Sequence, residues 1–306
     1  MKHIQLGNSD LAVSNVALGC MRMAVKTVAE AEEIIQAALD SGINFFDHAD
    51  IYGRGESEAI FGQAMKNLGI ARDSVFIQSK VGIVPGVSFD FRREHILKSV
   101  DDILERLQID YLDALLLHRP DTLFDPKEVA QTFDDLYESG KVRQFGVSNQ
   151  NPGQIELLKK HTKHEIVANQ LQFSIMHSGM IDAGFNVNMT NDAAVNRDGG
   201  ILEYCRLHNI TIQAWSPFQH GYFGGVFLDN EKFPELNVVI DRLAEKYEVT
   251  NTAIAVAWIL RHPSQMQVII GTMTPQRIAD SASASEIELT HEEWYEIYLA
   301  AGNVLP

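Results

Sequence analysis

The 306-residue sequence predicts a (β/α)8 barrel, an α/β domain spanning residues 1–306 with an N-terminal β-hairpin and an extra helix at the C-terminal end. Three observations carry that prediction. Eight short apolar runs alternate with amphipathic stretches, which is the barrel count. The runs are continuously apolar and rich in β-branched or aromatic residues, as strands buried on both faces must be. No GxGxxG follows an early run, so a doubly wound dinucleotide-binding sheet is excluded; Met21, Arg22 and Met23 stand where its glycines would be.

The runs are VALGC (16–20), NFFDH (44–48), VFIQSK (75–80), YLDALLLH (111–118), QFGVSN (144–149), IVANQ (166–170), TIQAWS (211–216) and VIIGT (268–272). Helical patterns fill the gaps: Ala29–Ser41, Ser57–Leu68, Arg92–Leu107, Pro126–Ser139, Gln154–His161, Gly200–His208, Leu236–Leu260 as two helices, and Pro275–Ala284. Each repeats apolar residues at three- and four-residue spacing, as do Ile96, Val100, Ile103, Leu104 and Leu107. Residues 3–13 carry a Gly-Asn turn between two alternating segments, a hairpin across the barrel floor. Residues 290–300 read as a further helix, with Thr290 as N-cap and Glu293 three positions on. The stretch 171–199 reads as a long, Asn- and Met-rich loop.

Composition narrows the function classes. With 41 acidic against 25 basic residues the net charge is −16, which repels nucleic-acid phosphates and anionic membranes. The longest apolar stretch, Ala253 to Leu260, stops at Arg261, short of the ~18 residues of a membrane span. The start, MKHIQLGNSD, lacks the apolar core of a secretory signal. Cys20 and Cys205 are too few for a disulfide framework or a structural zinc site. A cytoplasmic enzyme is the expectation.

In a barrel, chemistry gathers where strands end. The second run ends at Asp47, with Tyr52 five residues later; the third ends at Lys80 and the fourth at His118. Strand alternation pairs these inward with Phe45, Gln78 and Leu116. Three neighbouring strands therefore offer a carboxylate, an ammonium and an imidazole to one mouth, with a phenol beside them. A phenol needs electrostatic tuning to exchange a proton near neutrality, and a lysine held by an aspartate supplies it. His118 can donate to an oxygen on which charge develops. The set contains neither a serine or cysteine nucleophile nor a metal-ligand constellation, and is suited to protonating an oxygen while another group delivers hydride. Each residue also has a structural reading. Asp47 and Lys80 can form a plain ion pair, and His118 and Tyr52 can simply pack.

With those residues in view, the chain resembles the aldo-keto reductases, (β/α)8 oxidoreductases that use NADPH or NADH. The resemblance covers almost the whole chain. It rests on Asp47, Tyr52, Lys80 and His118 with the five-residue Asp-to-Tyr step, on LLLHRPD (115–121), on GVSN after the fifth strand and on NQ after the sixth. LLHRPD and the short C-terminal tail are closer to the bacterial oxidoreductases of the family than to the mammalian aldose-reductase type. The resemblance implies that Tyr52 is the general acid toward an aldehyde or ketone, that Lys80 and Asp47 tune it, and that His118 orients the substrate. It implies that Ser148, Asn149 and Gln170 bind the nicotinamide carboxamide and that Trp215 stacks beneath its ring. Ser216, Pro217 and Phe218 would follow the pyrophosphate, with Met21 and Arg22 also beside the cofactor.

In the segment GTMTPQRIADS (271–281), a helix begins at Pro275, and its free N–H groups make an anion site. The family places the adenosine 2′-phosphate there, which implies roles for Gly271, Thr272, Thr274, Arg277, Asp280 and Ser281. Gly271 stands where many NADPH-preferring members have lysine, and Ser281 where asparagine is common, so NADPH is implied and NADH stays open. Two structural alternatives remain: Trp215 as core packing, and Arg277 as a solvated residue paired with Asp280.

Met21, Arg22, Met23, Arg119 and the 171–199 loop are expected to line the substrate pocket, with Met176, Met180 and Met189 adapting to varied shapes. The short tail after the last helix suggests an open site and broad carbonyl acceptance. The expected partner is a small-molecule carbonyl compound, bound by a monomer. Two other classes compete: a Schiff-base lyase or aldolase using Lys80, and an NADPH-holding regulatory subunit.

Overall fold

Eight parallel strands close into a barrel because each is apolar on both faces and must be covered inside and out. The computed structural model describes residues 1–306. A hairpin of β1 (His3–Gln5) and β2 (Ala12–Ser14) comes first, and the barrel strands that follow are β3 (Val16–Gly19), β4 (Phe45–Asp47) and β5 (Phe76–Val81). A two-residue ribbon, β6 (Ile83–Val84) and β7 (Ser88–Phe89), interrupts the alternation. The barrel then completes with β8 (Leu112–Leu117), β9 (Val142–Ser148), β10 (Ile166–Gln172), β11 (Thr211–Trp215) and β12 (Gln267–Ile270), which pairs with β3 to close it. All eight apolar runs of the sequence are barrel strands.

The outer layer consists of α1 (Val28–Asp40), α2 (Glu56–Leu68), α3 (Arg93–Leu107), α4 (Pro126–Glu138), α5 (Pro152–Lys159), α6 (Gly179–Phe185), α7 (Ile201–Leu207), α8 (Pro234–Tyr247), α9 (Asn251–Leu260), α10 (Pro275–Ser283) and α11 (His291–Ala300). Local chemistry marks several starts. Thr27 with Glu30, Asn151 with Gln154, and Thr290 with Glu293 each form reciprocal capping boxes at α1, α5 and α11. Helix α11 is fastened to α9 by Trp258 and Trp294, whose rings stack at 4.8 Å. Each indole also donates to the other's backbone oxygen, at 3.1 and 3.0 Å. A buried indole N–H needs such a partner, and here the pair satisfies itself. No helix is long and apolar enough to cross a membrane.

The stretch 171–199 differs from expectation. Strand β10 runs on to Gln172, α6 forms within the stretch, and Asp192–Ala194 makes a 3-10 turn. Tertiary contacts hold this segment: Tyr298 of α11 donates to Asp182 at 2.7 Å, and Phe185 packs edge-on against Tyr298. Those partners lie more than a hundred residues away, so no local periodicity announces them.

The hairpin plugs the floor. Leu6, Leu11 and Val13 pack with Ala17, Phe45, Leu116, Val167 and Ile269 inside the barrel. Phe45 and Leu116 thus point inward, as the alternation predicts. Above this apolar plug the inward positions turn polar, and the candidate site begins.

Candidate active site

Asp47, Lys80 and His118 come from the ends of β4, β5 and β8, which are neighbours in the barrel. Tyr52 lies five residues past Asp47 and is followed by a tight turn in which Gly53, Arg54 and Gly55 all adopt positive φ. At Gly53 a Cβ would lie 2.2 Å from that of Ala24, so only glycine lets the turn close against the loop after β3.

Lys80 is 0% exposed and Asp47 2%. Its Nζ donates to Asp47 Oδ2 at 2.8 Å, to the His48 backbone oxygen at 2.8 Å and to Tyr52 Oη at 3.1 Å. All three ammonium donors are satisfied, which a buried cation requires. Burial works to lower the lysine pKa, but Asp47 and then Tyr52 outweigh it and hold Lys80 above its ordinary value. For Tyr52 burial dominates and raises the pKa, although Lys80 opposes it. The phenol is therefore protonated near neutrality; the lysine moderates the upward shift and does not reverse it.

His118 meets the Tyr52 ring edge-on, with centroids 6.0 Å apart. Burial, then Lys80 and Arg119, push its pKa well down, so it is a neutral imidazole that can donate one N–H. Beside it, Arg119 lies 5.8 Å from the Trp215 ring. His48, adjacent to Asp47, has neither ring nitrogen partnered and packs against Phe61 at 4.5 Å; burial and Lys80 push it down to about 3.

Asp50 has one buried carboxyl oxygen without a hydrogen-bond partner. Burial, reinforced by the Glu58 carboxylate, pushes it up to about 7 from 3.8. Between about pH 4 and 7 the folded chain therefore keeps a proton that the unfolded chain has lost, and stability falls as pH rises through that window. Asp50→Asn is expected to flatten this fall, raising Tm at alkaline pH and leaving it unchanged near pH 4. A variant whose Tm tracked the parent at every pH would mean that Asp50 ionises normally.

Around the tetrad lie the residues expected to hold a cofactor. Ser148 Oγ and the Asn149 backbone N–H both donate to the Gln170 carbonyl, each at 3.0 Å. Asn149, at φ 55°, also donates from Nδ2 to Ser148 Oγ at 2.7 Å and accepts from Trp215 Nε1 at 3.3 Å. Trp215 is thereby tied into a polar network at the mouth, which plain core packing does not explain. Ser216 adopts φ 53° and starts the turn through Pro217 and Phe218, closed by the Gln219 N–H on its carbonyl at 3.1 Å. Arg22 bridges the mouth, donating to the Gly271 carbonyl at 3.0 Å, while Met21 is exposed.

At the start of α10, the Thr274 side chain makes no cap, so the first-turn N–H groups are free. Thr272 Oγ1 accepts from the Thr274 N–H at 3.3 Å. Arg277 is exposed with no acidic partner, because Asp280 takes Gln276 Nε2 at 2.9 Å. The Arg277–Asp280 pair allowed by the sequence is therefore absent. Ser281 is buried and donates to the Arg277 carbonyl at 2.8 Å, turned away from the mouth.

Next to Trp215 and Asn149 opens a cavity of about 850 Å³. Arg119, Leu171, Met176 and Met180 line it as expected, joined by Gln172, His177 and Arg197. Met21, Arg22, Met23 and Met189 are not in its wall. Ala301 and Asn303 are, so residues after the last helix contribute to the wall of the cavity. Sequence reasoning missed Gln213 and Gln267. Gln213 carried a signal, lying two residues before the end of β11 on the inward face, whereas Gln267 opens β12 and lies outside the apolar run read from the sequence.

A sequence profile of the aldo/keto reductase family matches residues 15–300. The chain belongs to that family. It is 34% identical over 311 residues to a 6-dehydroglucose reductase of Novosphingobium aromaticivorans, covering 99% of this chain and 96% of that one. It is 32% identical to a 6-dehydroglucose reductase of Agrobacterium fabrum, covering 98% of both. Among solved structures, an aldo-keto reductase from Klebsiella pneumoniae in complex with NADPH superposes with a TM-score of 0.76 at 24% identity, covering 97% of this chain and 94% of that one. This aldo-keto reductase is accordingly an NAD(P)H-dependent oxidoreductase. The Schiff-base alternative finds no support, since Lys80 is held charged on all three donors.

Proposed function

We propose that this enzyme reduces polyhydroxylated aldehydes to alcohols with NADPH, using Tyr52 as the general acid. The observation that carries the reading is the fully satisfied Lys80 ammonium joining Asp47 to Tyr52 Oη, 0% exposed at the barrel mouth. NADPH supplies the hydride. Tyr52 gives its hydroxyl proton to the carbonyl oxygen as negative charge develops there, and Lys80 stabilises the phenolate left behind. His118, neutral, donates an N–H to the same oxygen and fixes the carbonyl against Tyr52. Asp47 holds Lys80 charged and in place.

The residues present fit the cofactor. Gln170 Oε1 makes no hydrogen bond within the chain and is available to the carboxamide, with Ser148 and Asn149 beside it. The free N–H groups at the start of α10 and the unpaired Arg277 suit a 2′-phosphate. Asp280 and Ser281, engaged elsewhere, are left out of that role. Arg277→Ala is expected to weaken NADPH binding about tenfold while leaving NADH binding unchanged, as read by quenching of tryptophan fluorescence. Equal losses for both cofactors would remove Arg277 from the phosphate site.

The substrate class is supported by the polar cavity wall of Arg119, Gln172, His177 and Arg197, and by the similarity to two 6-dehydroglucose reductases. The test is a panel of aldehydes of equal length, with and without hydroxyl groups. Higher kcat/KM for the hydroxylated members is expected. A preference for the unsubstituted chains would overturn the substrate reading and leave the chemistry untouched.

A further inference from the structure

Beneath the tetrad, four glutamines on β5, β10, β11 and β12 occupy a layer that barrels usually fill with branched apolar side chains. Gln78, Gln213 and Gln267 are 0% exposed and Gln170 4%. Their amides form one connected ladder. Gln267 Nε2 donates to the Ser14 backbone oxygen at 2.8 Å. Gln213 Nε2 donates to Gln267 Oε1 at 2.8 Å and to Gln78 Oε1 at 3.1 Å. Gln213 Oε1 accepts from Gln78 at 2.9 Å and from Gln170 at 3.1 Å. The same two nitrogens donate their second hydrogens to Asp47 Oδ1, at 2.6 and 3.0 Å.

The direction of this ladder is forced. A backbone carbonyl can only accept, so Gln267 must turn its NH2 to Ser14 and its oxygen to Gln213. Gln213 must then donate to Gln267 and Gln78 and accept from Gln78 and Gln170. At the top, a carboxylate can also only accept. Flipping either Gln78 or Gln170 would set an amide oxygen against Asp47 and strand a buried donor, which is costly. The orientation is thus transmitted from the hairpin under the barrel to the catalytic carboxylate.

We propose that Gln78 and Gln213 are positioning residues for the reduction: the Gln78 and Gln170 amides hold Asp47 Oδ1 so that Oδ2 stays on Lys80, and Gln213, which accepts from both, fixes their orientation and turns Gln170 Oε1 toward the cofactor. This inference rests on the reductase reading above and deepens it. Without the amides, Asp47 could rotate to meet Lys80 through both oxygens and draw Nζ away from Tyr52. The titratable groups facing this layer are Asp47 on β4, Lys80 on β5, Tyr52 and Cys20 beyond β4 and β3, and His118 past β8. Strands β10, β11 and β12 contribute only amides to it, so an acid placed at position 78 answers first to Asp47.

The test uses full-length Gln78→Glu and Gln78→Met, assayed with NADPH and one aldehyde across the pH range, with cofactor affinity read by fluorescence. In Gln78→Glu the introduced carboxyl can donate to Asp47 only while protonated, and its neighbour raises its pKa. Near pH 5 its kcat is expected within about threefold of the parent, falling about tenfold or more by pH 8, with KM and NADPH affinity nearly constant. Gln78→Met is expected to lose about tenfold in kcat at every pH. A purely structural role would lower Tm and leave the pH profile parallel to the parent, and that outcome overturns the proposal. If Gln78→Glu does not fold, an unchanged kcat in Gln78→Met overturns it equally. A parent protein that binds no NADPH or reduces no aldehyde overturns the reductase reading itself, before either variant is made.

Discussion

Tyr52→Phe is expected to fold, to bind NADPH with unchanged affinity and to lose turnover by about 10²–10⁴, the contribution of a positioned general acid. The substitution deletes one oxygen and leaves the aromatic ring against His118 in place. Lys80 loses one of its three acceptors, but keeps Asp47 Oδ2 and the His48 carbonyl. The loss should fall in kcat and not in KM, because the phenol hydroxyl is needed as charge develops on the carbonyl oxygen. Stopped-flow reduction at saturating aldehyde, alongside fluorescence binding of NADPH, separates the two. Turnover at the parental rate with intact binding would refute the tetrad assignment. The raised pKa of Tyr52 adds a direction: reduction needs the protonated phenol, which persists across neutral pH, whereas alcohol oxidation needs the phenolate and should speed up toward alkaline pH.

Lys80→Met carries the largest expected cost in stability. Methionine fills most of the lysine stem's space, so little packing is lost. What remains is an Asp47 carboxylate, 2% exposed, deprived of its counter-ion and held only by the two glutamine amides. Breaking a buried pair by removing one partner costs about 3–5 kcal/mol, a large share of a typical domain's stability. Activity should fall as well, since nothing then stabilises the Tyr52 phenolate. The double variant Asp47→Asn with Lys80→Met removes the stranded charge and should recover most of the stability but none of the turnover. Denaturant unfolding of the parent and both variants checks this. Equal stability of the single and double variants would mean that Asp47 takes up a proton and that the pair contributes little.

Sequence alone determined the architecture and the convergence of Asp47, Tyr52, Lys80 and His118. Eight apolar runs separated by amphipathic stretches are legible because burial on both faces makes a strand continuously apolar and burial on one face gives a helix its 3.6-residue period, neither of which needs a distant contact. Capping at Thr290 and Glu293 was legible for the same reason, being a bond between near neighbours. The tetrad was legible because strand-end polar residues in a barrel converge whatever the loops do. Tertiary structure alone decided the rest. Helix α6 exists where Asp182 and Phe185 meet α11, more than a hundred residues along the chain. The cavity takes part of its wall from Ala301 and Asn303, residues far along the chain from the strand-end positions that the sequence singles out. That burial outweighs Lys80 in setting the Tyr52 pKa is decided by packing in three dimensions. The glutamine ladder is the clearest case. Each of its residues is an ordinary inward strand position, and only the barrel's shear brings four amides from separate strands into one hydrogen-bonded line ending on Asp47.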